Sequence, residues 1–215
     1  MKKILLTTVA VLFSFTQVNA ANMSEGFRLG ISASSTEVNG SGSETMRTTK
    51  KQSAVATSSE DTTIGHVFAE KTFSNGFTLG VDYVPGEADV GTRTRADDDI
   101  ESANGNKASA VVSEHLTFYG LMPMGSSPLY VKAGILSMNV ETNEVLNTGS
   151  KYGDTTVNGV TAGIGAHFER DSGLFLRAEY SMSEYEDIRL TSDGDNIVEA
   201  DLDTTAMKLS IGKSF

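Results

Sequence analysis

The final stretch of the chain, residues 204–215, alternates between apolar and polar side chains. Its apolar parity holds Met207, Leu209, Ile211 and Phe215, and the even-numbered positions between them are polar or small. A period of two is typical of a β-strand with one apolar and one polar face. About ten such residues cross a bilayer when the strand is tilted. The pattern therefore predicts a strand that buries one face in lipid or in a protein core.

Seven earlier segments show the same period. Together with the last stretch they predict eight strands, at residues 25–38, 63–73, 77–83, 110–122, 129–135, 160–168, 174–182 and 204–215. An even number of strands places both ends of the chain on the same side of the sheet. Ten strands are the alternative, if the first two polar segments between strands hide a hairpin.

The strand predicted at residues 110–122 has no facing that satisfies every side chain. One register places Leu116 on the apolar face together with Glu114, and the other places Tyr119 there together with His115. Each register leaves a titratable group on the apolar face, so the facing of this strand stays open.

The connections between strands fall into two length classes. Short turns, such as the one containing Asn75 and Gly76, alternate with polar segments that we expect to be loops. These long segments are residues 39–61, 85–107, 141–155 and 186–203. Such an asymmetry is typical of outer-membrane barrels, which have short periplasmic turns and long extracellular loops. A soluble lipocalin-like carrier, which would bury its apolar residues inside, is the alternative outside a membrane.

The alternating strands and the final Phe215 resemble the small outer-membrane β-barrels of Gram-negative bacteria, of the outer-membrane protein A and X type. The resemblance covers residues 21–215 and implies an all-β fold, an eight-stranded antiparallel transmembrane β-barrel with four long extracellular loops. It also implies that Met207, Leu209, Ile211 and Phe215 form a C-terminal assembly signal.

The same resemblance implies the partners of the chain: outer-membrane lipid, lipopolysaccharide and the barrel assembly machinery. Lys213 departs from the family pattern, in which the third residue from the end is apolar. We expect no peptidoglycan-binding domain, and so no tethering of the membrane to the cell wall.

The first twenty residues have the features of an export signal. Lys2 and Lys3 precede an apolar run at residues 4–15, and Val18 and Ala20 fit a cleavage site of small residues. The run is too short for a membrane-spanning helix. We therefore expect residues 1–20 to be a cleaved signal peptide and residues 21–215 to be a barrel domain of the outer membrane.

Composition narrows the function classes. Of the 17 basic residues, removal of Lys2 and Lys3 leaves 15 against 28 acidic residues. A net charge near −13 disfavours nucleic acid as a partner, because nucleic-acid binding needs a basic surface. The sequence has no cysteine, and so predicts neither disulfides nor a lipid-modified cysteine.

Five charged residues fall on the inward parity of their strands and predict a charge network inside the barrel. They are Glu70, Asp82, Lys132, Arg177 and Glu179. The segments FLRAEY and YVKAG around three of them resemble the charged interior of the outer-membrane protein A barrel. Because buried charges must be paired, we expect an ionic plug. An ion path opened by rearrangement of these charges is the alternative.

Three histidines, His66, His115 and His167, raise an enzyme hypothesis, because some outer-membrane barrels are lipid A deacylases or palmitoyltransferases. The deacylase pattern has Ser two residues after its His. In this chain the nearest imitation is His115 followed by Thr117, and threonine is a poor nucleophile without activation. We therefore predict no catalytic residues, no cofactor and no enzyme activity.

Acidic residues cluster in the second and fourth predicted loops. Asp97 to Asp99 and several acids after Asp193 could supply oxygen ligands to calcium, but their spacing matches no EF-hand loop. A solvated, repulsive loop surface is the expectation, and no metal site is predicted.

The sequence favours a structural or surface-interaction role, exercised through extracellular loops that meet a ligand or another cell surface. A narrow, weakly cation-preferring pore and a lipid A-modifying enzyme are the alternatives.

Overall fold

The computed structural model describes residues 23–46, 52, 55–95, 106–145 and 151–215. Its regular elements are the strands β1 (Gly26–Thr45), β2 (Ala56–Thr72), β3 (Thr78–Tyr83), β4 (Glu87–Arg95), β5 (Asn106–Pro123), β6 (Leu129–Val145), β7 (Thr155–Glu169), β8 (Leu174–Tyr185), β9 (Ile188–Thr191) and β10 (Ile197–Ser214). Among the residues described, no helix has the length and apolarity that a membrane crossing requires. The predicted signal peptide lies outside the described residues.

The strands form one closed antiparallel barrel. Strands that follow one another along the chain are paired except β3 with β4 and β8 with β9, and β1 also pairs with β10, from Arg28 opposite Ser214 to Thr45 opposite Ile197. β3 and β4 both pair with β5, and β8 and β9 both pair with β10, so each of these two pairs is one barrel strand with a short interruption. The barrel therefore has eight strands, and the prediction of eight rather than ten is confirmed.

The two faces of the wall match the predicted alternation. Ile31, Ile135 and Ile164 point outward and are 60, 63 and 60% exposed, whereas Arg28 on the inner face is fully buried. An apolar band with an inner polar face suits a barrel that is surrounded by lipid.

A β-bulge explains why the facing of the strand at residues 110–122 stayed open. The register with β6 shifts between Ser113 and Leu116, and Glu114 adopts a positive φ of 52°. Even-numbered residues such as Val112 face inward above the bulge, where Val112 lies opposite Val140, and odd-numbered residues face inward below it. One extra residue reverses the facing of a strand, so no single register could have fitted.

The loop boundaries predicted from the sequence are wrong in one respect. Much of each polar segment is strand: β1 continues to Thr45, β2 begins at Ala56, β4 occupies Glu87–Arg95 and β10 begins at Ile197. Outside lipid, both faces of a strand meet water, so a ladder can continue without apolar residues. The hairpins at this end, here called the hairpin end, extend the barrel wall well beyond the apolar band.

The opposite end, here called the turn end, has tight connections. Between β2 and β3 the Phe73 amide donates to the Phe77 carbonyl over 2.9 Å, and Gly76 has a φ of 80°. Glycine adopts this left-handed conformation without steric cost. The turn predicted from Asn75 and Gly76 is thereby confirmed.

Candidate functional site

Charged side chains fill the barrel lumen in successive layers. Nearest the turn end, Arg28 lies 3.2 Å from Glu169 and also donates to the Thr72 hydroxyl and to the Ser24 carbonyl. His167 lies 3.1 Å from the same Glu169 carboxylate. The Arg28–Glu169 pair joins β1 to β7, which are not neighbours in the barrel, so it ties opposite parts of the wall together.

The middle layer is built around Arg177. Its two terminal nitrogens donate to the two Glu70 oxygens over 2.6 and 2.8 Å, and the Tyr119 hydroxyl donates to Glu70 over 2.6 Å. The rings of Phe68 and Phe175 lie 5.5 and 5.4 Å from the guanidinium carbon. A two-point ion pair held between aromatic rings is among the strongest polar contacts a protein makes.

Small residues opposite the rings make this layer fit. A Cβ atom at Gly80 would overlap the ring of Tyr119, and a Cβ atom at Gly165 would overlap the ring of Tyr130. Glycine at these positions leaves the lumen wide enough for aromatic side chains to cross it.

The third layer contains two lysines. Lys132 donates to Glu179 over 2.7 Å, and the Tyr130 hydroxyl donates to the other Glu179 oxygen over 2.8 Å. Lys208 donates to Asp82 over 2.9 Å. Each of these charges therefore has an opposite charge within hydrogen-bond distance.

The residues that the sequence placed in the network all lie in these layers. Glu70 meets Arg177, Lys132 meets Glu179, and Asp82 lies with Lys208. Sequence reasoning did not include Arg28, Glu169 and Lys208. Each of them stands on the inward parity of its strand, and that parity is the signal that could have found them.

Beside Lys208, a serine, a histidine and an aspartate lie in a row. Ser34 Oγ is 2.9 Å from His66 Nε2, and His66 Nδ1 is 2.7 Å from Asp82 Oδ1. A carboxylate only accepts hydrogen bonds, so Nδ1 carries a proton, and in a neutral ring with this tautomer Nε2 is the nitrogen that can accept from the serine hydroxyl. The three side chains come from β1, β2 and β3, which are adjacent in the barrel.

This row forms part of the floor of a cavity of about 640 Å³ that occupies the lumen towards the hairpin end. Lys132 and Lys208 also line the floor. The walls combine polar side chains such as Glu60, Thr62 and Ser183 with aliphatic ones, which include Val38, Ile64, Val112, Leu136, Met138 and Leu202. Pockets of this size with a few convergent polar groups are typical of small-molecule sites.

His115, which the sequence suggested as a partner of Thr117, makes its side-chain hydrogen bond to another residue. His115 stands in the β-bulge, and its Nε2 lies 3.2 Å from the Tyr185 hydroxyl. Within the described residues, His115 Nδ1 has no hydrogen-bond partner. In the same ranges, no group of three or more His, Cys, Asp or Glu side chains could hold a metal ion.

A comparison with models of protein families identifies the family of this chain. The model of the outer membrane protein beta-barrel domain matches residues 7–215. The chain belongs to this family. As an outer-membrane barrel it lies in the outer membrane, with the turn end on the periplasmic side and the hairpin end outside, the usual arrangement of such barrels.

Several solved outer-membrane barrels resemble this one. OprG from Pseudomonas aeruginosa is 9% identical, with 93% of this chain and 99% of that chain covered and a TM-score of 0.49. The protease OmpT from Escherichia coli is 8% identical over 88% and 97%, with a TM-score of 0.47. Neisserial surface protein A is 11% identical over 89% and 98%, with a TM-score of 0.43. A search of curated proteins found no significant match.

The predicted assembly-signal residues of this outer-membrane barrel all point outward. Met207, Ile211 and Phe215 are exposed along β10, and Leu209 lies between them on the same face. The Phe215 amide donates to the Phe27 carbonyl over 2.8 Å, so the last residue is part of the barrel seam. The role of these residues in assembly stays a prediction.

Proposed function

We propose that the protein is a sealed outer-membrane barrel that acts at the cell surface through its extended hairpins. The observation that carries the proposal is the plug. Arg28, Arg177 and Lys132 cross the lumen at successive levels, and each is buried and ion-paired. An eight-stranded barrel has an interior just wide enough for side chains to fill, so such layers leave little room for ions.

Conduction would require the plug to come apart. Breaking a buried ion pair leaves uncompensated charge in a low-dielectric interior, at a cost of about 3–5 kcal/mol. The Arg177 and Glu70 pair also has the Tyr119 hydroxyl and three rings around it. These contacts favour the sealed barrel over the narrow pore.

The hairpin end supplies the interacting surface. Where its side chains are described, its exposed bases are Lys151 and Arg189, and Arg189 is paired with Glu199. Its exposed acids include Glu37, Glu60, Asp61, Glu87, Asp154, Glu184, Asp193, Asp201 and Asp203. An acidic surface attracts positively charged partners and repels anionic ones, and salt weakens both effects.

Like charges face each other on the outer wall of the hairpins. Glu37 lies directly opposite Asp61 in the β1–β2 ladder, and Asp203 lies directly opposite Glu184 in the β10–β8 ladder. Cross-strand pairs of like charge are destabilising. A positively charged partner that docks between them would relieve the repulsion, which supports a basic peptide or protein segment as the ligand.

Binding of a fluorescent oligolysine peptide to the mature barrel in phosphatidylcholine nanodiscs tests the surface role. We expect saturable binding that weakens as salt rises. The combined variant Glu37→Gln, Asp61→Asn, Glu184→Gln and Asp203→Asn should bind several-fold more weakly. The control is Asp171→Asn, which neutralises an exposed acid at the turn end and should leave binding unchanged.

Two results would refute this surface role. One is binding no stronger than to empty nanodiscs. The other is a loss of binding free energy in the four-residue variant that is no more than four times the loss in Asp171→Asn, because binding would then follow net charge alone.

A further inference from the structure

The Ser34, His66 and Asp82 side chains have the connectivity of a nucleophile, a general base and an orienting acid. Ser34 Oγ lies 2.9 Å from His66 Nε2 and 3.0 Å from the Thr36 hydroxyl, and His66 Nδ1 lies 2.7 Å from the carboxylate. Both distances to His66 fall in the range that a catalytic triad requires, and a triad is recognised by geometry and roles rather than by sequence order.

A fourth residue completes the arrangement. Lys208 lies directly opposite Ser34 in the β1–β10 ladder, with its side chain on the same inner face. Across the described residues, its ammonium makes a single side-chain hydrogen bond, to Asp82. An ammonium has three protons, so two remain to stabilise negative charge that develops beside Ser34.

The cavity above this row indicates what kind of molecule reaches it. Ser34, His66, Asp82 and Lys208 all line the floor, and aliphatic side chains such as Leu136 and Leu202 line the wall. We propose that this cavity is a hydrolytic site for carboxylic esters of small amphiphiles, with the acyl chain against the apolar wall and the ester carbonyl at Ser34. The inference does not depend on the surface role of the hairpins.

The reaction is an acyl transfer to serine followed by hydrolysis. Ser34 Oγ bonds to the ester carbonyl carbon as its proton passes to His66 Nε2, and Lys208 stabilises the oxyanion. The bond to the alcohol oxygen then breaks, and the departing alcohol takes the proton from His66. A water molecule that loses a proton to His66 attacks the acyl group, and its arrival releases the carboxylic acid and returns a proton to Ser34.

Labelling of the wild-type barrel tests the nucleophile directly. The mature protein in nanodiscs is treated with a fluorophosphonate, which reacts with activated serines, and the labelled peptide is identified by mass spectrometry. We expect one label per chain, on Ser34, and none on heat-unfolded protein. Labelling of other serines only, or no labelling, would overturn the proposal whatever the behaviour of the variants.

Ester hydrolysis by matched variants tests the roles. With p-nitrophenyl butyrate as substrate, Ser34→Ala and His66→Gln should each lose about 10²-fold or more of the rate. Ser32→Ala is the control, because Ser32 lies on the same buried face of β1 and its hydroxyl has no partner in the described part of the chain. Wild-type rates in Ser34→Ala, with the barrel shown to be folded, would refute the triad.

A pair of tryptophan substitutions on β10 tests the cavity as the acyl site. Leu202 lines the cavity, whereas Leu209 faces lipid. Leu202→Trp should slow hydrolysis of p-nitrophenyl octanoate far more than that of the acetate, and Leu209→Trp should slow neither. Equal effects of the two substitutions would show that the ester is cleaved elsewhere.

Discussion

Arg177 and Glu70 meet in the barrel lumen through a two-point ion pair, with nitrogen-to-oxygen distances of 2.6 and 2.8 Å. Arg177 stands on β8 and Glu70 on β2, which are not neighbours in the barrel. The pair therefore spans the lumen. It joins strands that no backbone ladder connects, and in the proposed function it is the contact that closes the middle of the barrel to ions.

Loss of one member of this pair should destabilise the barrel strongly. Arg177→Met leaves Glu70 buried without its countercharge, and we expect the free energy of unfolding to fall by about 3–5 kcal/mol. Urea titration of the barrel in lipid vesicles measures the change.

The control is the double variant Arg177→Met and Glu70→Leu. Replacement of both charges by apolar side chains removes the unpaired group, so the double variant should be more stable than Arg177→Met alone. Equal or greater destabilisation in the double variant would show that the single variant loses packing rather than charge compensation.

The plug should need glycine at the positions that face an aromatic ring for its full stability. Gly80→Ala places a Cβ atom on the ring of Tyr119, whose hydroxyl donates to Glu70, and overpacking of this kind costs about 1–3 kcal/mol. Gly65→Ala is the matched control, because a Cβ atom there has nothing within 4 Å. Urea titration should show a loss only in the first variant. Equal stabilities would mean that Tyr119 moves freely.

A charged side chain in the outer apolar band should lower the free energy of unfolding. Ile164 is 60% exposed on the outer face of β7, and Ile164→Arg should cost about 2–4 kcal/mol if this side chain lies near the middle of the bilayer. Ile164→Leu keeps the face apolar and should cost less than about 1.5 kcal/mol. Urea titration in lipid vesicles measures the free energy of unfolding of both variants. An arginine tolerated as well as leucine would place this face in water.

Much of the fold could be predicted because lipid imposes a period of two. The alternation around Ile164 and His167 gives both the strand and its facing from the sequence alone. The bulge at Glu114 could not be predicted, since one inserted residue leaves no mark in composition. The strand extensions beyond the band were missed because their residues are polar on both faces, as loop residues are.

The candidate triad was missed for a different reason. Ser34, His66 and Asp82 lie on three strands, and only the register between those strands brings them to one level. The search for a serine two residues after a histidine on one strand could not find a site distributed in this way. The available signal was that all three residues lie on the inward parity of their strands. Parity does not give the height of a residue along the barrel axis.

The final phenylalanine should matter for assembly more than for stability. Phe215 is 71% exposed, so Phe215→Ala removes few internal contacts. We expect insertion by the barrel assembly machinery into proteoliposomes to slow at least several-fold, and spontaneous refolding into detergent to remain unchanged. Leu129→Ala, also exposed at the turn end, is the control. Equal slowing in both assays would assign Phe215 a structural role instead.

Single-channel recording in a planar bilayer measures whether the barrel is sealed. Wild-type protein shown by its folded gel mobility to have inserted should give no conductance steps. The variant in which Arg177, Glu70, Lys132 and Glu179 are all replaced by alanine should conduct, because it removes the ion pair of the middle layer and one of the two ion pairs of the third layer. Steady, cation-preferring steps from the wild type would show that the barrel is an open pore.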